Sequence, residues 1–265
     1  MSSSPSVMDQ LRLDGRSALV TGGAQGLGRA ISVALAEAGA DLVVLDRLPE
    51  SSPEASALRT ELEARGATLR YRQVDLVSLT SSQAEELIAW AEGDEGDLSV
   101  LVNNAGIVDR GPAVETSESD WRRVIDLDLT VPFLLSQAFA RRLMPENRPG
   151  NVINLGSINS FQGGIEVASY AAAKHGLLGL TKALANEWTA TGITVNAIAP
   201  GYMRTQFTQA HRADPERYAT MSARIPAERW GEPTDIAGAA VFLASRASAY
   251  VTGTTLTVDG GWLGR

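Results

Sequence analysis

The sequence predicts a doubly wound α/β domain: a parallel sheet of about seven strands with helices on both faces. Three observations lead there. Short β-branched runs alternate with longer stretches of helical periodicity along the whole chain. A glycine-rich turn, Thr21-Gly22-Gly23-Ala24-Gln25-Gly26-Leu27-Gly28, joins the first such run to the first helix. No internal repeat and no Pro/Gly-rich linker divides the 265 residues, so 11–265 reads as one domain behind a flexible tail over 1–10.

The elements follow in order. Ser17–Thr21 reads as a buried strand, and Gly26–Ala38 as a helix stopped by Gly39. Leu42–Leu45 is the second strand, closed by Asp46. Leu58–Arg65 is helical and ends at Gly66. Leu69–Val74 and Val100–Val102 are strands, with a helix over Ser81–Ala91 between them. One long helix is expected over Trp121–Leu143, then a strand at Asn151–Leu155 and a helix over Tyr170–Trp188. Thr194–Ala199, a helix over Thr234–Leu243 and the strand Thr255–Val258 complete the pattern. The polar, Arg-bearing stretch 201–230 is the long irregular segment, and such segments in compact domains are commonly lids or binding loops. It is expected to cover a substrate and to contain some helix.

Composition narrows the function. The net charge is −8, which argues against nucleic acid or an anionic membrane as partner. There are no cysteines, so thiolate chemistry, disulfides and thiolate zinc sites are excluded. The Ser/Pro-rich start lacks the basic and apolar regions of a signal peptide. No apolar run reaches the ~20 residues that span a bilayer. A cytoplasmic protein acting on a small molecule is expected, with no metal site, since no His/Asp/Glu cluster has ligand spacing.

The glycine turn carries the first chemical signal. Glycines allow a tight turn, close approach to a pyrophosphate and tight packing of helix on strand, and the helix N-terminus offers free N–H groups to phosphate. A strand before, a helix after and an acid downstream make this a Rossmann-like dinucleotide site. Gly22, Gln25, Gly26, Leu27 and Gly28 are its candidate contacts. Asp46, at the next strand end, is placed to accept both adenosine ribose hydroxyls and to repel a 2′-phosphate. That favours NAD over NADP, although Arg47 beside it is a cation that suits NADP. Asp75 and Leu76 follow the third strand. Asn103, Ala105 and Gly106, in the run Asn103-Asn104-Ala105-Gly106, close the fourth.

Tyr170 and Lys174 are four residues apart on a predicted helix and so share a face. The strand before them ends at Ser157, and open α/β sheets bind ligands at this carboxyl edge. Reduction of a carbonyl needs a hydride on carbon and a proton on oxygen. A tyrosine beside an ammonium can give or take that proton, and a serine hydroxyl can hold the substrate oxygen. His175 points off this face, and Trp90, Trp121, Trp188, Trp230 and Trp262 read as packing residues.

The motifs Thr21-Gly22-x-x-x-Gly26-x-Gly28, Asn103-Asn104-Ala105-Gly106, Ser157, Tyr170-x-x-x-Lys174 and Pro200-Gly201 stand in the order and spacing of the short-chain dehydrogenase/reductase family, which the chain resembles over about 11–263. The resemblance implies an oxidoreductase of CH–OH groups, with Ser157, Tyr170 and Lys174 catalytic and Lys174 also on the nicotinamide ribose. It implies that Ile198, Pro200, Gly201, Met203 and Thr205 line the nicotinamide end, and that four copies assemble as a homotetramer. Asp128, in Val124-Ile125-Asp126-Leu127-Asp128-Leu129, stands where the family carries a catalytic asparagine. The stretches Ser160-Phe161-Gln162-Gly163-Gly164, Arg212-Ala213-Asp214 and Asp259-Gly260-Gly261-Trp262 resemble the family's deoxy-sugar-acid dehydrogenases. This implies a substrate of the 2-deoxy-D-gluconate or 2-dehydro-3-deoxy-D-gluconate type. Ser157, Tyr170 and Gln162 would contact it, and Arg110 and Arg212 would hold its carboxylate. Asp109 replaces one arginine of a basic pair there. Two other readings stay open: reduction of a carrier-linked 3-oxoacyl chain, and a catalytically silent dinucleotide sensor.

Overall fold

A computed structural model describes residues 5–93 and 96–265, without the side chains of residues 210 and 211. Seven strands form one parallel sheet: β1 (Ser17–Thr21), β2 (Asp41–Asp46), β3 (Leu69–Gln73), β4 (Leu98–Asn103), β5 (Gly150–Leu155), β6 (Ile193–Pro200) and β7 (Thr255–Val258). Their order is β3-β2-β1-β4-β5-β6-β7, so the chain reverses its direction of travel between β1 and β4. Successive strand residues face opposite sides. Ala18 and Val20 enter one core cluster and Leu19 the other, and Leu42 and Val44 likewise oppose Val43 and Leu45. Both faces are therefore apolar, and helices cover both, as a parallel sheet requires.

The helices are α1 (Val7–Gln10), α2 (Gly26–Glu37), α3 (Pro53–Glu63), α4 (Ser81–Glu92), α5 (Glu118–Ile125), α6 (Val131–Leu143), α7 (Ala168–Trp188), α8 (Gln209–Arg212), α9 (Pro215–Arg224) and α10 (Ala237–Ala244). Helix α3 begins earlier than its apolar periodicity indicates, because the Ser52 side chain caps it and Pro53 opens its first turn. In the segment expected as a flexible tail, Val7–Gln10 form one helical turn closed by a Ser6/Asp9 capping box. Residues 1–4 lie outside the described part.

The single long helix expected over Trp121–Leu143 does not form as such. Asp126–Thr130 is a π-helical turn between α5 and α6, in which the Val131 N–H donates to the Asp126 carbonyl five residues back. Pro132 supplies the reason: it has no N–H for the Asp128 carbonyl and its ring crowds that carbonyl, so the regular ladder cannot continue. The widened turn carries Asp128 into the interior, fully shielded from solvent.

Candidate active site

The carboxyl ends of β1, β4, β5 and β6 converge on one edge of the sheet, and the candidate residues collect there. The glycine turn follows β1, and Gly26 adopts φ +56 at the start of α2. A Cβ on Gly28 would collide with the Gly22 carbonyl and lie 2.5 Å from Asn104 Nδ2. A Cβ on Gly26 would instead meet only Thr205, at 3.8 Å. The turn is thus closed toward β4 and open toward the segment after β6. An open helix N-terminus with free N–H groups suits a pyrophosphate, so the residues fit a dinucleotide.

Asp46 is buried at the end of β2. Its Oδ2 accepts from the Ala24 N–H and its Oδ1 from the Leu48 N–H, both at 3.0 Å. The carboxylate therefore braces the glycine turn from behind. Arg47 beside it is exposed. Asp75 is exposed and accepts from the Val77 N–H at 3.0 Å, while Leu76 is buried.

The β4 end departs from expectation at one residue. The Asn103 side chain turns into the sheet, donating to Asn154 Oδ1 at 2.8 Å and Ser136 Oγ at 3.1 Å. Its side-chain N–H groups are thus spent within the fold, while the buried Oδ1 finds no hydrogen-bond partner among the described residues. Asn104, which motif reading passed over, is the latch. Its Nδ2 donates to the Thr21 and Gly22 carbonyls at 2.9 and 3.0 Å, and Thr21 Oγ1 accepts from the N–H groups of Asn104 and Ala105. A second asparagine beside a glycine turn is the signal that could have found it.

Helix α7 brings Tyr170 and Lys174 to the same edge, both buried. Lys174 Nζ donates to the Leu155 carbonyl at 2.9 Å and faces Asp128 Oδ2 at 3.1 Å. It lies 5.5 Å from the centre of the Tyr170 ring. Asp128 Oδ1 accepts from the Ile107 N–H at 2.9 Å. Burial raises the Asp128 carboxyl above its ordinary range, against the pull of Lys174. Burial alone would lower Lys174, but the Asp128 carboxylate and Tyr170 raise it above its ordinary value. Burial also raises Tyr170; Lys174 and a hydrogen bond from Ser157 draw it down, and Asp128 pushes it up. Ser157 sits just after β5, with its Oγ accepting from the Asn159 N–H at 3.1 Å. Three groups able to hold and move a proton therefore meet at one sheet edge, next to the dinucleotide cleft.

The segment after β6 folds over this edge. Pro200 is buried at the strand end, and the Gly201 N–H donates to Val258 on β7 at 2.9 Å. Thr205 faces Gly26. Phe207, not anticipated from sequence, places its ring 5.9 Å from that of Tyr170. Met203 is buried, packed against Gly231, so its side chain serves the lid's own packing and not the cleft. Gln162 is half-buried in the loop before α7. Asp109 is held by Arg123, whose Nη2 lies 2.7 Å from both carboxylate oxygens.

The two candidate arginines part company. Arg110 is exposed on the loop after β4; burial of part of its side chain and the like charge of Arg217 lower its proton affinity, against Tyr170, Tyr202 and Glu166. Arg212 is exposed and its Nη2 donates to the Thr205 carbonyl at 3.0 Å, which ties one of its donors to the lid backbone. Among the described residues, no group of three or more His, Asp or Glu side chains could hold a metal ion. No described helix is long and apolar enough to cross a membrane.

Comparison with known proteins gives a consistent picture. Residues 22–263 match a family profile described as enoyl-(acyl carrier protein) reductase. The chain is 44% identical over 260 residues to the 2-dehydro-3-deoxy-D-gluconate 5-dehydrogenase of Dickeya dadantii, covering 98% of this chain and 100% of that protein. A crystal structure from Agrobacterium tumefaciens, assigned as a 2-deoxy-D-gluconate 3-dehydrogenase with bound NADP, is 47% identical with a TM-score of 0.87, covering 97% of this chain and 100% of that one. A gluconate 5-dehydrogenase from Burkholderia cenocepacia, in complex with NADP and tartrate, is 36% identical with a TM-score of 0.91, covering 98% and 100%.

Proposed function

This chain belongs to the short-chain dehydrogenase/reductase family, and from that premise we propose that it interconverts a secondary alcohol and a ketone on a deoxy sugar acid, using NAD(H). The family is one of oxidoreductases of CH–OH groups that use a nicotinamide dinucleotide. The observation that carries the substrate reading is the 44% identity, over nearly the whole chain, to a 2-dehydro-3-deoxy-D-gluconate 5-dehydrogenase. Arg110, on the loop after β4, forms no ion pair among the described residues, although the charge of Glu166 acts on it, and it is the candidate to hold the acid's carboxylate. The sugar-acid dehydrogenases among its relatives, and the tartrate in one of them, support the same class.

The coenzyme would be held by the glycine turn, Asp46 and the segment around Thr205, and it supplies or accepts the hydride. In reduction, Tyr170 Oη gives its proton to the substrate oxygen as the carbon gains hydride; in oxidation Tyr170 takes that proton back. Lys174, a buried ammonium, lowers the cost of the intervening phenolate. Ser157 Oγ donates to the substrate oxygen and keeps it within reach of Tyr170. Asp128 keeps Lys174 charged and fixed in place.

NAD preference rests on Asp46, a buried carboxylate at the strand end that a 2′-phosphate would have to approach. NADP is the alternative coenzyme, favoured by exposed Arg47 and by the NADP in related structures. A homotetramer in the cytoplasm completes the proposal, supported by the family resemblance and by the absence of cysteine. Reduction of a carrier-linked acyl chain is the competing activity, favoured by the description of the matching profile; the net charge of −8 disfavours docking an acidic carrier.

The test is a dehydrogenase assay of hexonates, 2-dehydro-3-deoxy-D-gluconate and a 3-oxoacyl thioester, each with NAD(H) and NADP(H). Turnover of a sugar acid with the higher kcat/KM for NAD(H) is expected. Turnover of the thioester alone would replace the substrate reading. A clear NADP(H) preference would mean that Arg47 outweighs Asp46.

A further inference from the structure

Tyr170 meets apolar groups from two parts of the chain. Within the fold it clusters with Val124 and Val167, with Ile107 and Val108 packed against them. From the lid, Phe207 brings a second ring to 5.9 Å, tilted by 47°. The two rings differ in exposure: Tyr170 is 9% exposed, whereas Phe207 leaves 43% of its surface open. An exposed phenylalanine alone needs no explanation. This one lies on the ring of the proton donor, so a substrate whose oxygen reaches Tyr170 comes up beside it.

Phe207 is also held in place. It is the middle residue of a 3-10 turn, Gln206–Thr208. Thr208 Oγ1 donates to the Met203 carbonyl and accepts from the Thr205 N–H at 3.3 Å. The Thr205 carbonyl accepts from Arg212 Nη2 at 3.0 Å. Thr205 in turn faces Gly26 of the glycine turn. The turn is thus anchored toward the coenzyme cleft at Thr205 and toward the catalytic tyrosine at Phe207. A wall fixed in this way can discriminate, because it does not simply move aside for a poor ligand.

A deoxy sugar acid and its fully hydroxylated counterpart differ by one hydroxyl. Against a phenyl ring that hydroxyl gives up water and gains no partner, while a methylene only buries apolar surface. We propose that Phe207 is the residue that selects a deoxy sugar acid over its hydroxylated counterpart, its ring lying against the methylene of the bound substrate. This rests on the sugar-acid reading and names what in the site distinguishes members of that class.

The experiment measures kcat/KM for two matched pairs: 2-deoxy-D-gluconate with D-gluconate, and 2-dehydro-3-deoxy-D-gluconate with 2-dehydro-D-gluconate. The parent enzyme is compared with Phe207→Asn and Phe207→Leu. The ring is partly exposed and belongs to none of the buried core clusters, so both variants should fold. In the pair it turns over, the parent should favour the deoxy member by at least ~10-fold, within the ~10²-fold that an apolar wall achieves against an added hydroxyl. Phe207→Asn offers the hydroxyl a donor and an acceptor, and should cut this ratio at least ~5-fold. Phe207→Leu keeps the wall apolar and should hold the ratio within ~2-fold. A merely structural role for Phe207 would lower both members of a pair alike and leave the ratio unchanged. That result overturns the inference, as does a ratio that falls as far in Phe207→Leu as in Phe207→Asn. So does a parent that turns over sugar acids without preferring the deoxy member; in all three cases the parent's activity leaves the sugar-acid reading standing. A parent inactive on all four acids overturns both.

Discussion

A carboxylate fully removed from solvent is expensive unless a cation faces it, and breaking such a pair leaves an uncompensated charge. Asp128 and Lys174, 3.1 Å apart, are such a pair. The ionised carboxylate raises both Lys174 and Tyr170, so removing it should let both titrate lower. Alcohol oxidation requires Tyr170 to lose its proton, and its rate rises with pH along a limb set by that loss. Asp128→Asn should therefore move the alkaline limb of kcat/KM for oxidation to lower pH. Burial opposes ionisation of Asp128; were the carboxyl neutral, the limb would stay in place. A shift to higher pH would contradict the pairing. Tyr170→Phe removes the proton donor but keeps the ring that packs near Phe207. It should lower kcat by at least ~10²-fold, with coenzyme binding retained in a fluorescence titration; turnover within a few-fold of the parent would rule Tyr170 out as the acid.

At the level of elements, the glycine turn, the β4 end and the π-helical turn act as one unit. Asn104 joins the first two through the Thr21 and Gly22 carbonyls, and the Ile107 N–H joins β4 to Asp128 on the third. Asn104→Ala should raise the coenzyme Kd by ~10-fold, from two lost bonds of ~1 kcal/mol each partly offset by water. Calorimetric titration with NADH checks this, and an unchanged Kd would show that the turn holds its shape without the latch. The glycine pattern itself was legible, because glycine is required wherever a side chain would collide. The latch was not, because Asn103 and Asn104 are interchangeable in a motif and only strand register decides which one faces the turn. Register also decides that Asn103 enters the sheet, bonding Asn154, which in turn bonds Thr181 on α7.

Across the whole molecule, the sheet's two apolar faces account for most of the buried side chains, yet Trp121 on α5 remains 40% exposed. It lies in a shallow surface groove with Glu118, Arg122, Ile125 and Asp126. A homotetramer of 28.1 kDa chains should sediment at four times that mass, and Trp121→Asp should shift the distribution toward smaller species if α5 lies in an interface. A parent that sediments as a monomer would set the assembly proposal aside.

The sequence by itself determined the α/β class, the strand positions within a residue or two at most boundaries, the glycine turn and the Tyr170/Lys174 pair. These are local: periodicity, turn chemistry and spacing on one helix need no partner from elsewhere in the chain. Only the tertiary structure decided that a π turn at Pro132 lifts Asp128 onto Lys174. It likewise decided that Asn104 and not Asn103 meets the glycine turn. Each of these depends on residues distant in sequence meeting across the carboxyl edge of the sheet. A side chain's direction there is set by strand register, which no window of sequence contains.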